Sequence, residues 1–506
     1  MQQKNTFPRR VVKLVASPGF FRLIVGVLVL QAAWIALSGR YPMAFDEDFH
    51  LGIIRLYAHH LSPFWSSQPP GADVYGAVAR DPSYLYQYLM SFPYRLVSAL
   101  THDQTIQVLV LRGLNIALLA GSLPLYRRLL LKTGASRALV HTCLALLVLI
   151  PIVPFLAAQI NYDNLLLPLT ALVLLVAVNF AQELRQYKRI NTERLIWLMV
   201  LCLLGSLVKY AFLPIALATF AYLAICLRQT YAKQHKFWLS LGFGLTLMTR
   251  RTRGLLLILL VISLGMFAQR YGVNLVRYHT PVPACSKVLS VKQCSAYGPW
   301  IRDYNFAINK VDEEHSPFVF TADWLNGMWL RLFFAVGGPN TDFETRGPLP
   351  VPAIGAIVFA GLGVVVSIGW GRRVLRRYDR SVLGLFGLVS AFYIAVLWLD
   401  EYQAYVRTGQ PVAINGRYLL PVILLLFVFV GLACNEALRK RRNIAIGVAT
   451  LAIFCLLWGG GVMTFILRSN DAWYWPNHTV QTVNYDLQHA LGPLTPGYKT
   501  PTEFLR

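Results

Sequence analysis

The residues best suited to chemistry stand together near the N-terminus. Asp46, Glu47 and Asp48 are consecutive acids followed by His50, within FDEDFHLGIIRLYAHH at 45–60. They begin a few residues past an apolar run at about 20–38. Clustered carboxylates repel one another and lose hydration beside an apolar surface. Both effects raise a pKa, and one such group can serve as a general base for a hydroxyl proton. The alternative is the acidic start of a solvated loop, and the residue types leave both open. His50 suits a hydrogen bond that orients a neighbouring carboxylate better than a metal site. His59 and His60 lack such a setting and read as surface residues.

Other ionisable residues fall at the ends of apolar runs. Asp163 sits in the short connection from Gln159 to Asn164, where it is either a helix N-cap or a functional group. Lys209 separates two apolar runs, Arg417 opens a late one, and Arg55 follows the acids. Each reads either as an interfacial anchor or as a donor to negative charge developing on a leaving group. Arg112, inside the second run, fits a phosphate contact or a buried ion pair. Tyr84, Tyr88 and several tryptophans could stack on sugar faces, or simply form the aromatic belt of a membrane protein. The sequon Asn477-His478-Thr479 carries meaning only in a eukaryotic host.

These residues are positioned by a chain that is unusually apolar. Of 506 residues, 56% are hydrophobic and 14% charged, with mean hydropathy +0.50. A soluble domain carries roughly a quarter charged residues, so a soluble enzyme, a disordered tail and a disulfide-stapled module are excluded. Eleven runs read as transmembrane helices: about 20–38, 106–126, 138–157, 164–182, 195–208, 211–227, 254–270, 349–371, 381–399, 417–433 and 443–467. The stretch 324–336 is too short to span and is expected to lie in the interface or against the bundle.

The positive-inside rule orients the bundle with its N-terminus cytoplasmic and its C-terminus outside. In that arrangement the inner face carries the whole net charge of +24, its only acids being Glu183, Glu193, Asp379 and Glu436. Outside, basic and acidic residues balance. The arginine clusters therefore report orientation and anionic-lipid contact rather than nucleic-acid binding. The first run, preceded by PRRVVKL and without a small-residue cleavage site, reads as a retained anchor. The expected organisation is a transmembrane part over 1–467 with outer loops 39–105 and 271–348, then an outer tail 468–506. Five cysteines fall in spans; Cys285 and Cys294 lie in an outer loop, where a disulfide is permitted and left open. No internal repeat is found, which argues against many transporter folds, and Pro151, Pro154 and Pro214 read as tolerated kinks.

An Asp-Glu pair opening the first outer loop of an eleven-span protein resembles the GT-C glycosyltransferases, which include protein O-mannosyltransferases and lipid A aminoarabinose transferases. The DExxH form, Asp46-Glu47 with His50, is most similar to a large bacterial branch of that superfamily. DPSYLYQYLMSFPYRL (81–96) resembles the P-x-L-Y-x-Y-L segment of the same loop. INYDNLLLPLTAL (160–172) resembles the second motif, in which an Asp opens the fourth helix. LVKYAFLPIAL (207–217) is similar to a Lys-containing turn, and GRYLLPVILLL (416–426) to an Arg-Tyr start of a late span.

The resemblance covers most of the chain and implies an all-α integral membrane protein of GT-C type in the bacterial cytoplasmic membrane. It implies sugar transfer from a polyprenyl-phosphate donor to a glycan, lipid or protein acceptor at the outer face. On it, Asp46 and Glu47 are catalytic, and His50, Arg55, Asp163, Lys209, Arg417 and Tyr418 bind substrate. No metal ligand set extends beyond Asp46 and Asp163, so no metal or cofactor is expected, and no P-loop or nucleotide-sugar motif occurs. The short tail lacks the soluble domain many members carry, and loop 271–348 has no assignable pattern, leaving the acceptor open. A lipid or glycan transporter and a non-catalytic scaffold are the alternatives.

Overall fold

Short polar side chains start several helices by capping them. Ser17 accepts from the Phe20 N–H, Asp103 from Thr105, Asn191 from Arg194, and Asp379 from Ser381 and Val382. Each satisfies backbone donors that a first helical turn leaves open. The apolar runs that follow form helices in the computed structural model, which describes residues 7–43, 46–231, 237–246, 248–310, 316–333 and 348–498. Parts of three expected segments (loop 271–348, the stretch 324–336 and the tail 468–506) lie outside the described residues, as does Phe45.

In chain order, α1 (Pro18–Ser38) leads to two shorter helices, α2 (Glu47–Ala58) and α3 (Leu85–Leu100), and then to α4 (Gln104–Leu131). Next come α5 (Arg137–Leu149), the six-residue α6 (Ile152–Ala157), α7 (Asp163–Tyr187), α8 (Thr192–Val208) and α9 (Leu213–Tyr231). The elements used below are completed by α10 (Arg250–Phe267), α11 (Gly298–Ile308), α12 (Pro317–Phe333), α13 (Pro350–Arg377), α14 (Arg380–Thr408), α15 (Leu420–Ala437), α16 (Arg442–Leu457), α17 (Val462–Arg468) and α18 (His478–Leu491).

Among the described residues, nine helices are long and apolar enough to cross a membrane, the architecture of an all-α multi-pass membrane protein. The two expected spans that are not among the nine are 138–157 and 195–208. The first is split into α5 and α6 at Ile150-Pro151, since proline cannot donate the next helical hydrogen bond. The second is α8, whose 17 residues rise about 25 Å before Lys209 turns to extended backbone.

The break after α5 lies beside a second one, between α16 and α17 at Trp458–Gly461. Unpaired backbone groups inside a membrane bundle need internal partners. Buried Gln31 of α1 supplies them to both breaks, donating from Nε2 to the Val148 carbonyl at 3.2 Å and accepting at Oε1 from the Val462 N–H at 2.9 Å. The Gly461 N–H donates to the Leu149 carbonyl at 2.7 Å. Gly461 has φ +55, and a Cβ there would come 2.0 Å from Gln31 Oε1, so only glycine lets the amide in. Gln31→Leu strands two buried backbone groups at about 1–3 kcal/mol each. A lower melting temperature in detergent is the expected result, with unchanged thermal unfolding counting against the staple.

One end of the bundle collects the basic clusters together with their partners. Glu436 pairs with Arg377 at 3.1 Å, Glu183 with Arg194 at 2.7 Å, and Asp379 caps α14. The other end is built over α2, α3 and α12. As expected for the stretch from 324, α12 packs on the bundle, with Phe320, Trp324 and Met328 buried against α14. Cys285 and Cys294 form a disulfide with Cα atoms 5.9 Å apart, closing the pairing that the sequence left open. The described part of the tail folds back on α1. The Trp475 N–H donates to Ser38, the Arg40 N–H to Trp473, and Asn484 of α18 joins the Trp34 ring N–H to the Ser38 hydroxyl.

Candidate active site

Two adjacent acids at the start of α2 take opposite directions. Glu47 is fully buried. Its carboxylate receives Arg112 Nε at 2.8 Å and Nη2 at 2.7 Å, the Met43 N–H at 2.8 Å and the Ile160 N–H at 3.2 Å. Arg112 spends its remaining amino group on the carbonyls of Ala36 and Gly39, at 2.9 and 2.6 Å, and lies under the Trp475 ring. This pair fastens the end of α1, the start of α2 and the loop before α7 to the inside of α4. Of the two roles open for Arg112, the structure shows the buried ion pair.

Asp46 has no such anchor. It sits in the N-cap position of α2 with φ +70 and ψ +22, left-handed backbone that L-residues adopt at a cost, and its side chain caps nothing. Half of that side chain is open to a cavity of about 1400 Å³. Asp46 Oδ2 accepts from Arg417 Nη2 at 2.7 Å. Burial would push its carboxyl up, but the Arg417 charge and hydrogen bond, with Lys209 beyond, hold it below the usual carboxylate range.

Arg417 belongs to the turn Gly416–Leu419 that enters α15. Gly416 permits this turn to press under α12, where a Cβ would come 2.3 Å from the Met328 carbonyl oxygen. Behind Arg417 lies Asp163, the first residue of α7, with Oδ2 at 3.8 Å from Arg417 Nε and Oδ1 at 2.7 Å from Lys209 Nζ. The Lys209 ammonium lies over the rings of Tyr162 and Tyr418, at 4.5 and 4.7 Å from their centres. Two carboxylates and two cations thus form one continuous chain, Asp46–Arg417–Asp163–Lys209. Only Asp46 and Arg417 line the cavity; Asp163 and Lys209 form its buried backing.

His50 lies one turn along α2, also at the cavity wall and almost completely buried. With the Gln87 amide oriented to satisfy both its ends, Gln87 Oε1 accepts from His50 Nδ1 at 3.1 Å and its nitrogen donates to Ser83 and Tyr84. The two sequence segments DExxH and SYLYQYL are therefore joined by this contact. Burial pushes His50 down to about 3, so the imidazole is neutral, with Nε2 unprotonated and without a hydrogen-bond partner. Among the described residues no group of three or more His, Cys, Asp and Glu could hold a metal ion.

The structure therefore brings Asp46, His50, Asp163, Lys209, Arg417 and Tyr418 into one cluster and places two candidates elsewhere. Arg55 does not line the cavity; it sits in the last turn of α2. Glu47 faces away from the cavity, into Arg112. Sequence reasoning missed the part of the wall where Tyr75 and Tyr297 pack near Phe49, with ring centres 6.1 and 6.2 Å from it. It also missed Asp81, Asp323 and Asn415, all of which line the cavity. Gly52 makes room for Tyr75, since a Cβ there would overlap the ring, and the ring of Tyr297, three residues past the disulfide, rests on Gly76. Comparison with family models, with curated proteins and with solved structures gives no match.

Proposed function

We propose that the chain is a GT-C-type membrane glycosyltransferase with eleven crossings, its N-terminus inside and its C-terminus outside. In this reading it moves a sugar from a polyprenyl-phosphate donor to an acceptor at the outer face of a bacterial cytoplasmic membrane. The observation that carries the reading is a half-open carboxylate, Asp46, beside a buried guanidinium, Arg417, on the wall of one large cavity at the end of an apolar bundle. Sugar transfer from a lipid phosphate needs both: a base for the acceptor hydroxyl and a cation for the departing phosphate.

The acceptor O–H gives its proton to Asp46 while its oxygen bonds to the anomeric carbon. The bond from that carbon to the phosphate oxygen breaks on the opposite face, inverting the centre, and its electron pair leaves with the phosphate beside Arg417. Asp163 and Lys209 act through Arg417, fixing the guanidinium from behind. Glu47 and Arg112 position α2 rather than exchange protons. The rings of Tyr75 and Tyr297 at the cavity wall suit a sugar face. The two discontinuous helices close on Gln31 and on each other's backbone, whereas a transporter leaves such freed backbone groups open to its substrate or coupling ion.

The test uses vesicles holding the full-length protein, a panel of labelled polyprenyl-phosphate sugars, and lipid and glycan extracts as acceptors. Label moving into an acceptor with inverted anomeric configuration is expected. Absence of transfer from every donor, together with absence of donor binding, would overturn the reading in favour of a scaffold.

A further inference from the structure

The base that this reading requires is not free in the unliganded protein. Asp46 Oδ2 holds the Arg417 Nη2 proton at 2.7 Å, the donor that a phosphate would also need. A carboxylate engaged in a charge-assisted hydrogen bond is a poor base, because its lone pair and its charge are already compensated. The remaining geometry shows how the pair can separate. Arg417 is 4% exposed and has the Asp163 carboxylate on its far side, itself fixed by Lys209, so the guanidinium stays in place. Asp46 is half-open, caps nothing, and stands on left-handed backbone. If one partner moves, it is Asp46.

Building on the glycosyl-transfer reading, we infer that Arg417 is exchanged between Asp46 and the donor phosphate, so that Asp46 becomes a base only once the donor has docked. The unliganded cluster is electrically balanced, with Asp46 and Asp163 against Arg417 and Lys209. An arriving phosphate adds negative charge and takes the Arg417 proton donor. Both changes favour the protonated form of Asp46, which is to say that they make it a stronger base for the acceptor hydroxyl. The other groups facing Asp46 do not counter this. His50 on its own helix is neutral, and Tyr162, Tyr297 and Tyr418 from the surrounding elements bear no charge at neutral pH. The device keeps the site inactive towards water and acceptor until donor is present, and it makes donor binding the first step.

The consequence is an inverted mutant phenotype. Asp46→Asn removes the competitor for Arg417, so the variant that lacks the base is expected to bind a prenyl phosphate more tightly, by about tenfold at pH 7. Farnesyl phosphate is the probe, measured by calorimetry on the full-length protein in detergent, with size exclusion confirming the fold. The sign with pH follows from the ion pair. Asp46 is charged, and competes, above its depressed pKa; as pH falls through that value it protonates and releases Arg417. The wild-type affinity is therefore expected to approach that of the variant only as pH falls below the usual carboxylate range, the variant's own curve giving the titration of the probe.

Asp46→Ser is expected to reproduce the gain, and Arg417→Lys to lower affinity. Equal or weaker binding by both Asp46 variants would overturn the exchange while leaving the transfer reading in place. Absence of farnesyl phosphate binding by wild type and both variants would overturn the exchange and the proposed function together.

Discussion

Asp46→Asn is expected to lower sugar transfer by about 10²–10⁴-fold, the range that a positioned general base contributes. The amide is nearly isosteric with the carboxylate and suits the same left-handed position, since Asn tolerates that backbone as well as Asp. What it removes is the ability to take a proton. The loss should fall on kcat, because Asp46 acts on the acceptor hydroxyl during transfer and not on the donor phosphate. Asp46→Glu is expected to lose activity as well, through displacement of the carboxylate by one methylene, but less than the amide does.

The measurement is initial rate in the vesicle assay, with donor saturating. Retained transfer in Asp46→Asn would remove Asp46 as the base and turn attention to the other acids at the cavity wall. Of those, Asp48 and Asp81 are weaker candidates on geometry, since Asp48 accepts from the Tyr41 hydroxyl at 2.7 Å and Asp81 from the Ser83 N–H at 2.8 Å, which leaves Asp323 as the next to test.

The parts of this site that could be read from the sequence are those that membrane physics makes conspicuous. An ionisable residue at the edge of an apolar run is costly there and correspondingly rare. Asp163, Lys209 and Arg417 stood out for that reason, and the fold brings all three within one ion-pair chain. Direction was not legible. Asp46 and Glu47 are neighbours of the same chemical type, yet the switch from left-handed backbone at Asp46 to helix at Glu47 separates a cavity wall from a sealed interior. Arg55 was drawn in by its nearness along the chain, but nine residues of helix carry it about 13 Å away from Asp46 along the axis.

In the fold, the long apolar runs announced their helices, while the breaks did not follow from hydropathy. Pro151 and the glycine run Gly459–Gly461 were visible signals, and what they mean depends on Gln31, more than four hundred positions from the latter. The tyrosine wall is a matter of tertiary packing alone. Tyr297 reaches the cavity because the disulfide segment packs on the turn Ala72–Tyr75 and because Gly76 leaves room for its ring.

The second large effect is on stability and separates Glu47 from its neighbour. Glu47→Gln is expected to destabilise the protein by about 3–5 kcal/mol, the cost of leaving a buried guanidinium without its counter-charge. Arg112→Leu should be at least as damaging. It strands the Glu47 carboxylate and, beyond it, the carbonyls of Ala36 and Gly39. The double variant Glu47→Leu/Arg112→Leu removes both charges at once and should recover part of the loss, as replaced buried pairs do. Recovery stays incomplete because four backbone groups, on Ala36, Gly39, Met43 and Ile160, keep no partner.

Thermal unfolding in detergent for wild type, Glu47→Leu, Arg112→Leu and the double variant gives the cycle, and the coupling between the two sites should be large and favourable in the wild type. Activity supplies the other half of the argument. The carboxylate of Glu47 is saturated by four donors and has no exposed surface, so any transfer lost in Glu47→Gln should track the loss of folded protein. A Glu47→Gln protein with wild-type thermal stability and no transfer would place Glu47 in the chemistry and overturn its role as the fastening of α2.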